Sequence, residues 1–582
     1  MCPKAWWTAA LEASPHSFEH MTALVTEYIR GLCEQVVTRS IKVGNPGSPQ
    51  YASDILPRIP SDVLLYHIID IFKLQGDVPT LYACARTCRA WYHHYRDQGF
   101  FAGTNESEAF ISDPSWLAST SRMLWHSEKA RRYYQPFTIT ASDADTTRPI
   151  CRTLPLQIVG RHQPTLESLE LVNANCTSLH PRFFHHLADY RSVDELSLTR
   201  CSFRSAHDLR RVIEALQNLV TLNITAVTFK YALVLPERLG REATTARRRL
   251  CTVELCEVRE RDVGPLASVL LSLAYPIEVL SLKTVTFQSF AQFRQIVQET
   301  PTLARLKLVG VSCQHIPTPF MTNHAATTSG ETPAGLRELS IQAPPPLKAS
   351  ADFAATVLSW FARDMRPSAL EDLVVGGPHT RPFSVPLRGI APRVQRLTMV
   401  VATQLEIPPL AAFTQLKHCI LRIFLFAGSA TDALRDICGT VVSLLSELTS
   451  CLLEQVQLYF VIQGLSEPFQ DDSESADHLD LSGILPDSHA FVNVLARKPF
   501  NGLIPHGRTT GDSEFVAGIC GGTESTIAVS LGSGLDKQID GNAFSRLLEQ
   551  GMVPLFEPWF QRRVLRMRLP GGIVLTHEGR FT

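Results

Sequence analysis

Eleven times between residues 166 and 458 the chain repeats one short phrase, an aliphatic residue followed three and five positions on by two further core-type residues. The copies open at Leu166, Val193, Leu219, Leu250, Ile277, Leu303, Leu336, Leu370, Val394, Leu416 and Leu453, so the opening positions recur every 22 to 37 residues. The first reads Leu166-Leu169-Leu171 and the tenth Leu416-Cys419-Leu421. A period of this length holds one strand, one return segment and two turns. Such a unit cannot bury its apolar face alone and must stack on its neighbours. The phrase therefore predicts an irregular α/β solenoid of parallel strands over 161–460. A solenoid offers a broad surface rather than a reaction centre, so the functional question becomes which partner is held.

Strand alternation puts the second and third residues of each phrase on one face. The interleaved positions, Glu170, Ser197, Asn223, Ser281, Lys307, Ser340, Val374, Thr398 and Gln457, then point the other way, along the concave surface. They are small or polar and of mixed charge, which reads as a recognition surface for a protein or peptide without strong polarisation. Of these, Glu170, Ser197, Asn223, Ser281, Lys307, Ser340 and Thr398 are the partner-binding candidates. The return segments His207 to Gln217 and Phe353 to Arg363 have helical spacing. Pro344-Pro345-Pro346 and Pro408-Pro409 fit turns between units.

Composition narrows the class. A chain of 582 residues exceeds one ordinary core. Its formal net charge of -1 implies no basic face for nucleic acid. The fourteen cysteines are scattered through the apolar pattern, as free thiols in a reducing compartment would be. No leader pattern opens the chain, and no apolar run of membrane-spanning length occurs in it. A cytoplasmic or nuclear location is expected, with neither membrane nor nucleic acid as a partner.

Residues 55–98 have a different rhythm. Pro60 suits the first turn of a helix, where its missing N–H is not needed. Asp62 stands at the end of the helix dipole that favours a carboxylate. Val63, Leu64, Ile68 and Phe72 form an apolar stripe. Gly76 breaks the chain, Asp77 caps a second helix, and Leu81, Cys84, Ala85, Cys88 and Trp91 return at helical spacing. Two short helices cannot hide this much apolar surface between themselves, so a partner or the helices that follow should cover part of it.

The ordered set resembles the F-box. It has the Ile59-Pro60 start, with Leu56-Pro57 just upstream, and an acidic residue two places after the proline. The apolar set Val63, Leu64, Ile68, Ile69 and Phe72 follows, then Leu81, and the Cys88-Arg89-Ala90-Trp91 close. An F-box followed by leucine-rich repeats is the layout of a substrate receptor, and the chain looks like the large fungal F-box families. The resemblance implies that these residues dock on the small adaptor subunit of an SCF-type cullin-RING ubiquitin ligase. It also implies that a leucine-rich-repeat-like domain picks the protein to be modified, and that the chain performs no chemistry itself. The alternative reading is a repeat scaffold whose F-box acts without a cullin.

The remaining segments are read from composition. Residues 1–50 hold one amphipathic stretch, Phe18 to Val37, as a helical or mobile extension. Residues 101–160 read as a helical bridge around Trp116, Leu117, Met123, Leu124 and Trp125. The acidic run Asp471-Asp472-Ser473-Glu474-Ser475 and the Gly/Ser/Thr-rich stretch after residue 501 make 461–535 a flexible insertion, and 536–582 a C-terminal cap. Cys84 and Cys88, with His93 and His94 close behind, could suggest zinc, but the cysteine spacing is not the usual one and both cysteines lie on the apolar stripe. Gly532-Ser533-Gly534 lacks the residues of a phosphate loop or a nucleophile elbow. No catalytic residue, metal or cofactor is expected.

Overall fold

The computed structural model describes residues 108–112, 114–126, 138–143, 149–231, 249–273, 275–315, 335–343, 348–364, 370–377, 383–402, 408–465, 488–505, 525–532 and 541–581. The chain divides between Gln98 and Gly99 into two units, and all described residues belong to the second. The module at 55–98, with all of its adaptor-docking candidates, lies outside the described residues, as does the 1–50 extension.

Among the described residues, one sheet holds seventeen strands. They are β1 (Glu108–Ile111), β2 (Thr138–Ser142), β3 (Ser168–Val172), β4 (Glu195–Thr199), β5 (Thr221–Thr225) and β6 (Thr252–Cys256). Next come β7 (Val279–Lys283), β8 (Arg305–Val309), β9 (Glu338–Gln342), β10 (Asp372–Gly376), β11 (Arg396–Ala402) and β12 (His418–Phe426). The last are β13 (Gln455–Gln463), β14 (Ser525–Leu531), β15 (Leu565–Arg568), β16 (Val574–Thr576) and β17 (Gly579–Phe581). From β1 to β15 every strand pairs in parallel with the next in chain order. β15, β16 and β17 then turn back on one another in antiparallel pairing. This is a repeat-type solenoid of mixed α/β composition.

The register lays the phrase out as two unbroken apolar ladders. Leu169 pairs with Leu196, Leu196 with Leu222, and the line continues through Val253, Leu280, Leu306, Leu339, Leu373, Leu397 and Cys419 to Val456. The third residues make the parallel line from Leu171 to Leu458. Every residue of all eleven phrases is 3% exposed or less. Cys419 takes an aliphatic place in the ladder, and burial pushes its thiol up to about 12, so it packs as a neutral hydrophobe.

Backbone groups at both strand ends join neighbouring units. Before each strand from β3 to β12, one carbonyl accepts two N–H groups from the next repeat, as Ala304 does from Arg337 and Glu338 at 2.8 and 3.0 Å. The helices between strands close the other side of the core: α1 (Pro114–His126), α2 (Phe183–Leu187), α3 (Ala206–Ala215), α4 (Glu260–Leu273), α5 (Phe290–Gln298), α6 (Lys348–Asp364), α7 (Ser384–Ile390), α8 (Ala430–Glu447), α9 (Ser488–Leu495) and α10 (Gly541–Gln561). Helix α8 shows the local logic. The Ser429 hydroxyl accepts the Asp432 N–H at 3.1 Å as its N-cap. Leu434, Ile437, Cys438, Val441, Leu444 and Leu445 then return at helical spacing on the buried face. Helices α5 and α6 meet through aromatic rings, with Phe293 edge-on to Phe353 at 5.2 Å and Trp360 beside both Phe290 and Phe293.

The sheet runs past the 161–460 span at both ends. Residues 101–160 contribute β1 and β2 as well as the helix α1, so they are the first rungs of the sheet rather than a helical bridge. Within the segment expected to be flexible, 525–531 is the strand β14 and 488–495 the helix α9. The rest of that insertion, 466–487 and 506–524, lies outside the described residues. These strands escape the phrase for a common reason: the place of its first aliphatic is taken by Glu106, Pro136, Gly522 and Arg562 before β1, β2, β14 and β15. Their inward residues still extend the ladders, as Ile139 does beside Leu169 and Ile527 beside Leu458.

Candidate protein-interaction face

The residues between the buried aliphatics face away from the helices. The register joins them into one row across the sheet: Thr140, Glu170, Ser197, Asn223, Glu254, Ser281, Lys307, Ser340, Val374, Thr398, Ile420, Gln457, Thr526 and Arg566. All seven sequence-derived candidates lie in this row. Their accessibility differs. Lys307 is exposed, while Glu170, Ser197, Asn223 and Thr398 are half-buried. Ser281 and Ser340 are only 6% and 4% exposed, because short side chains in a sheet are shadowed by longer neighbours in the adjoining rows. A partner reaching these two serines must first meet Arg305, Lys307 and Gln342, which are exposed.

Polar groups along the row bond across strands. The Thr140 hydroxyl donates to Glu170 at 3.1 Å, Asn223 Nδ2 donates to Glu195 at 2.8 Å, and Lys283 Nζ meets Glu254 at 2.6 Å. Arg396 makes a two-pronged contact with Asp372, and that hydrogen bond raises the pKa of an already permanent guanidinium cation. His418 Nδ1 shares a hydrogen bond with Gln455 at 3.0 Å. These pairs set side-chain directions and leave fewer groups free for a partner. The side chains of Arg305, Lys307 and Arg422 have no hydrogen-bond or ion-pair partner among the described residues and stand exposed.

Reading only the central interleaved position of each phrase misses the rows on either side. Arg305, Glu338, Asp372, Arg396 and His418 lie one position before it, and Lys283, Gln342, Arg422 and Tyr459 one position after. The signal that finds them is the same period of two, carried one step further in each direction.

Among the described residues, no group of three or more His, Cys, Asp or Glu is arranged to hold a metal ion. Cys84, Cys88, His93 and His94 lie outside them. Among the described residues no helix is long and apolar enough to cross a membrane.

No protein-family model and no curated protein matches the chain. Among solved structures, an internalin from Listeria monocytogenes is matched at 12% identity, over 54% of this chain and 88% of that one, with a TM-score of 0.24.

Proposed function

We propose that this protein is the substrate-recognition subunit of an SCF-type cullin-RING ubiquitin ligase, with no chemistry of its own. The observation that carries the reading is the ordered set from Ile59 to Trp91, followed by a leucine-rich-repeat-like solenoid. In this reading the apolar helix stripes of the 55–98 module dock on the adaptor subunit, and through it on the cullin. The open face of the solenoid holds the target protein. Its support is physical: a broad, rung-ordered sheet face with unpaired cations suits a partner surface rather than a small substrate. A cytoplasmic or nuclear site of action belongs to the same proposal.

The test is the double variant Ile59→Ala with Pro60→Ala, read by adaptor and cullin capture. The expected result is loss of both, together with loss of target ubiquitination, while target binding and the thermal unfolding of the solenoid are unchanged. Two changes are used because single truncations cost more than about 1 kcal/mol only at hot spots. Undiminished capture by the folded double variant removes the adaptor assignment. Failure of the unaltered protein to capture any adaptor or cullin favours the scaffold reading.

A further inference from the structure

The open face is not uniform. From β2 to β10 it carries Glu170, Glu195, Glu254, Glu338 and Asp372 among its outward residues, interspersed with basic ones. From β12 to β15 no outward strand position holds a carboxylate, although Glu454, just before β13, approaches the outward His418 at 3.8 Å, and three outward positions hold arginine: Arg422, Arg566 and Arg568. Arg422 is exposed and unpaired among the described residues, whereas Arg566 and Arg568 already have interactions of their own. This part is also the apolar part. Ile420, Phe424, Tyr459 and Val461 are half-buried on it, and Phe426 is 56% exposed, although it lies on a strand of the main sheet.

The register gives the spacing of these groups. Arg422 pairs with Tyr459, Tyr459 with Ala528, and Ala528 with Arg568, so the two arginines stand three strands apart in one row. At the usual strand separation that is about 14 Å, the length of roughly four residues of extended chain. The next row places Phe424 beside Val461, and Phe426 stands one row beyond, beside Gln463.

We propose that the β12–β15 part of the face binds an extended acidic segment of a partner protein. Two carboxylates about four residues apart meet Arg422 and Arg568, and apolar side chains of the segment lie on Phe424, Phe426 and Val461. The charge difference selects this occupant: along β3 to β10 a carboxylate meets acidic outward groups among Lys283, Arg305 and Lys307, whereas the outward strand positions from β12 to β15 carry arginine and no acid. A polyanion such as a nucleic acid strand is disfavoured by the same acidic flank. The inference rests on the reading of the open face as the partner-binding surface.

The experiment is a display selection of random twelve-residue peptides on the immobilised full-length protein. The retained pool is expected to be enriched at least threefold in Asp and Glu over the input. The enrichment is expected to vanish on Arg422→Glu and to persist on Lys307→Glu, a reversal on the other part of the face. A fluorescent consensus peptide is expected to bind at least tenfold more weakly to Arg422→Glu. Phe426→Ser is expected to weaken it severalfold without changing the preference for acids. Arg422 and Phe426 are exposed, so both variants should keep the parent's melting temperature. A pool without acidic enrichment, or the same enrichment from Arg422→Glu, overturns the proposal. Equal competition by a single-stranded oligonucleotide, or a dimer of the parent that Arg422→Glu dissolves, would assign the patch to another occupant and overturn it too. The Ile59→Ala, Pro60→Ala protein separates the two readings. It should select the same acidic pool, so loss of adaptor capture bears on the ligase reading alone.

Discussion

The six repeats from β3 to β8 and the five from β9 to β13 carry the same phrase but leave their strands differently. In the first region each strand is five residues long and ends at a residue in the left-handed conformation: Asn173, Arg200, Ala226, Glu257, Thr284 and Gly310, with φ between 52° and 62°. The chain turns there and, in five of the six repeats, lays down a second short strand, such as Ser202–Phe203 or Thr286–Ser289. The second region has no left-handed residue at the matching positions, and β11, β12 and β13 run on to seven, nine and nine residues.

The cause is one residue of spacing. In the first region the next buried apolar position comes three places after the phrase, at Ala174, Cys201, Val227, Val258, Val285 and Val311. In the second it comes two places after, at Ala343, Val401, Ile423 and Phe460. A step of two continues a strand, whereas a step of three leaves one residue over, and that residue must make a corner. The corner residue keeps its place in the ladder, since the Arg200 N–H donates to Thr225 O at 2.7 Å and the Thr284 N–H to Val309 O at 2.7 Å. Strands β9 and β10 stay short for another reason: Pro344-Pro345-Pro346 and Gly377-Pro378 follow them, and proline cannot donate to a ladder. In the fourth repeat the second strand is replaced by helix α4, whose buried Asp262 accepts the Phe229 N–H at 3.0 Å and so serves the open edge of the Thr228–Phe229 strand.

The largest expected effect tests what the regions share. Leu306→Ala and Leu397→Ala, one in each region, remove side chains 1% exposed and should each cost about 2–5 kcal/mol, read by denaturant unfolding with proteolytic protection of the surrounding repeats. A loss confined to one region would break the idea of a common core.

A smaller effect follows from the buried thiols. Burial raises the pKa of Cys151, Cys176 and Cys201 in the first part of the chain and of Cys419 and Cys438 in the second, the last two and Cys201 to about 12. In the unfolded chain each ionises near its ordinary value, so above that pH the unfolded state binds fewer protons and stability falls. The stabilisation is full below the ordinary thiol pKa and is lost as pH rises from there toward 12. Between pH 8 and 9 each such thiol should lower unfolding free energy by about 0.7 kcal/mol. Replacing Cys419 or Cys201 by alanine should remove that thiol's share of the slope in its own region, measured by unfolding at the two pH values.

The smallest effect separates the regions by sign. Thr284→Gly relieves a β-branched residue held at φ 53° and should stabilise by about 0.5–1 kcal/mol. Ala343→Gly, at the matching place just after β9, relieves nothing and should cost about the same amount. Equal signs in hydrogen-exchange or denaturant measurements would show that the corner is not what distinguishes the two regions.

Much of this was legible in the chain. The three-position phrase predicts both ladders in register from Leu169 to Val456 and from Leu171 to Leu458, because strand alternation ties a residue's face to its place in the sequence. It also places the central row of the open face. The corner was written there too, in the step from Leu282 to Val285 against that from Leu421 to Ile423. The strands outside the phrase were not legible, since β1, β2, β14 and β15 are held by pairing with a neighbour already in place and need no leucine of their own in the first position.

Which outward residues a partner can reach was decided only by the tertiary structure. Exposure depends on the length of side chains one strand away, so Lys307 stands clear while Ser281 and Ser340 beside it are closed off. The same holds for charge. Arg422 lies far in sequence from Arg566 and Arg568, and only parallel register across β12 to β15 gathers the three on one face with no carboxylate at the outward strand positions between them. Periodicity is a local property of the chain and could be read from it. Adjacency between residues a hundred or more positions apart is a product of stacking and became visible only in the fold.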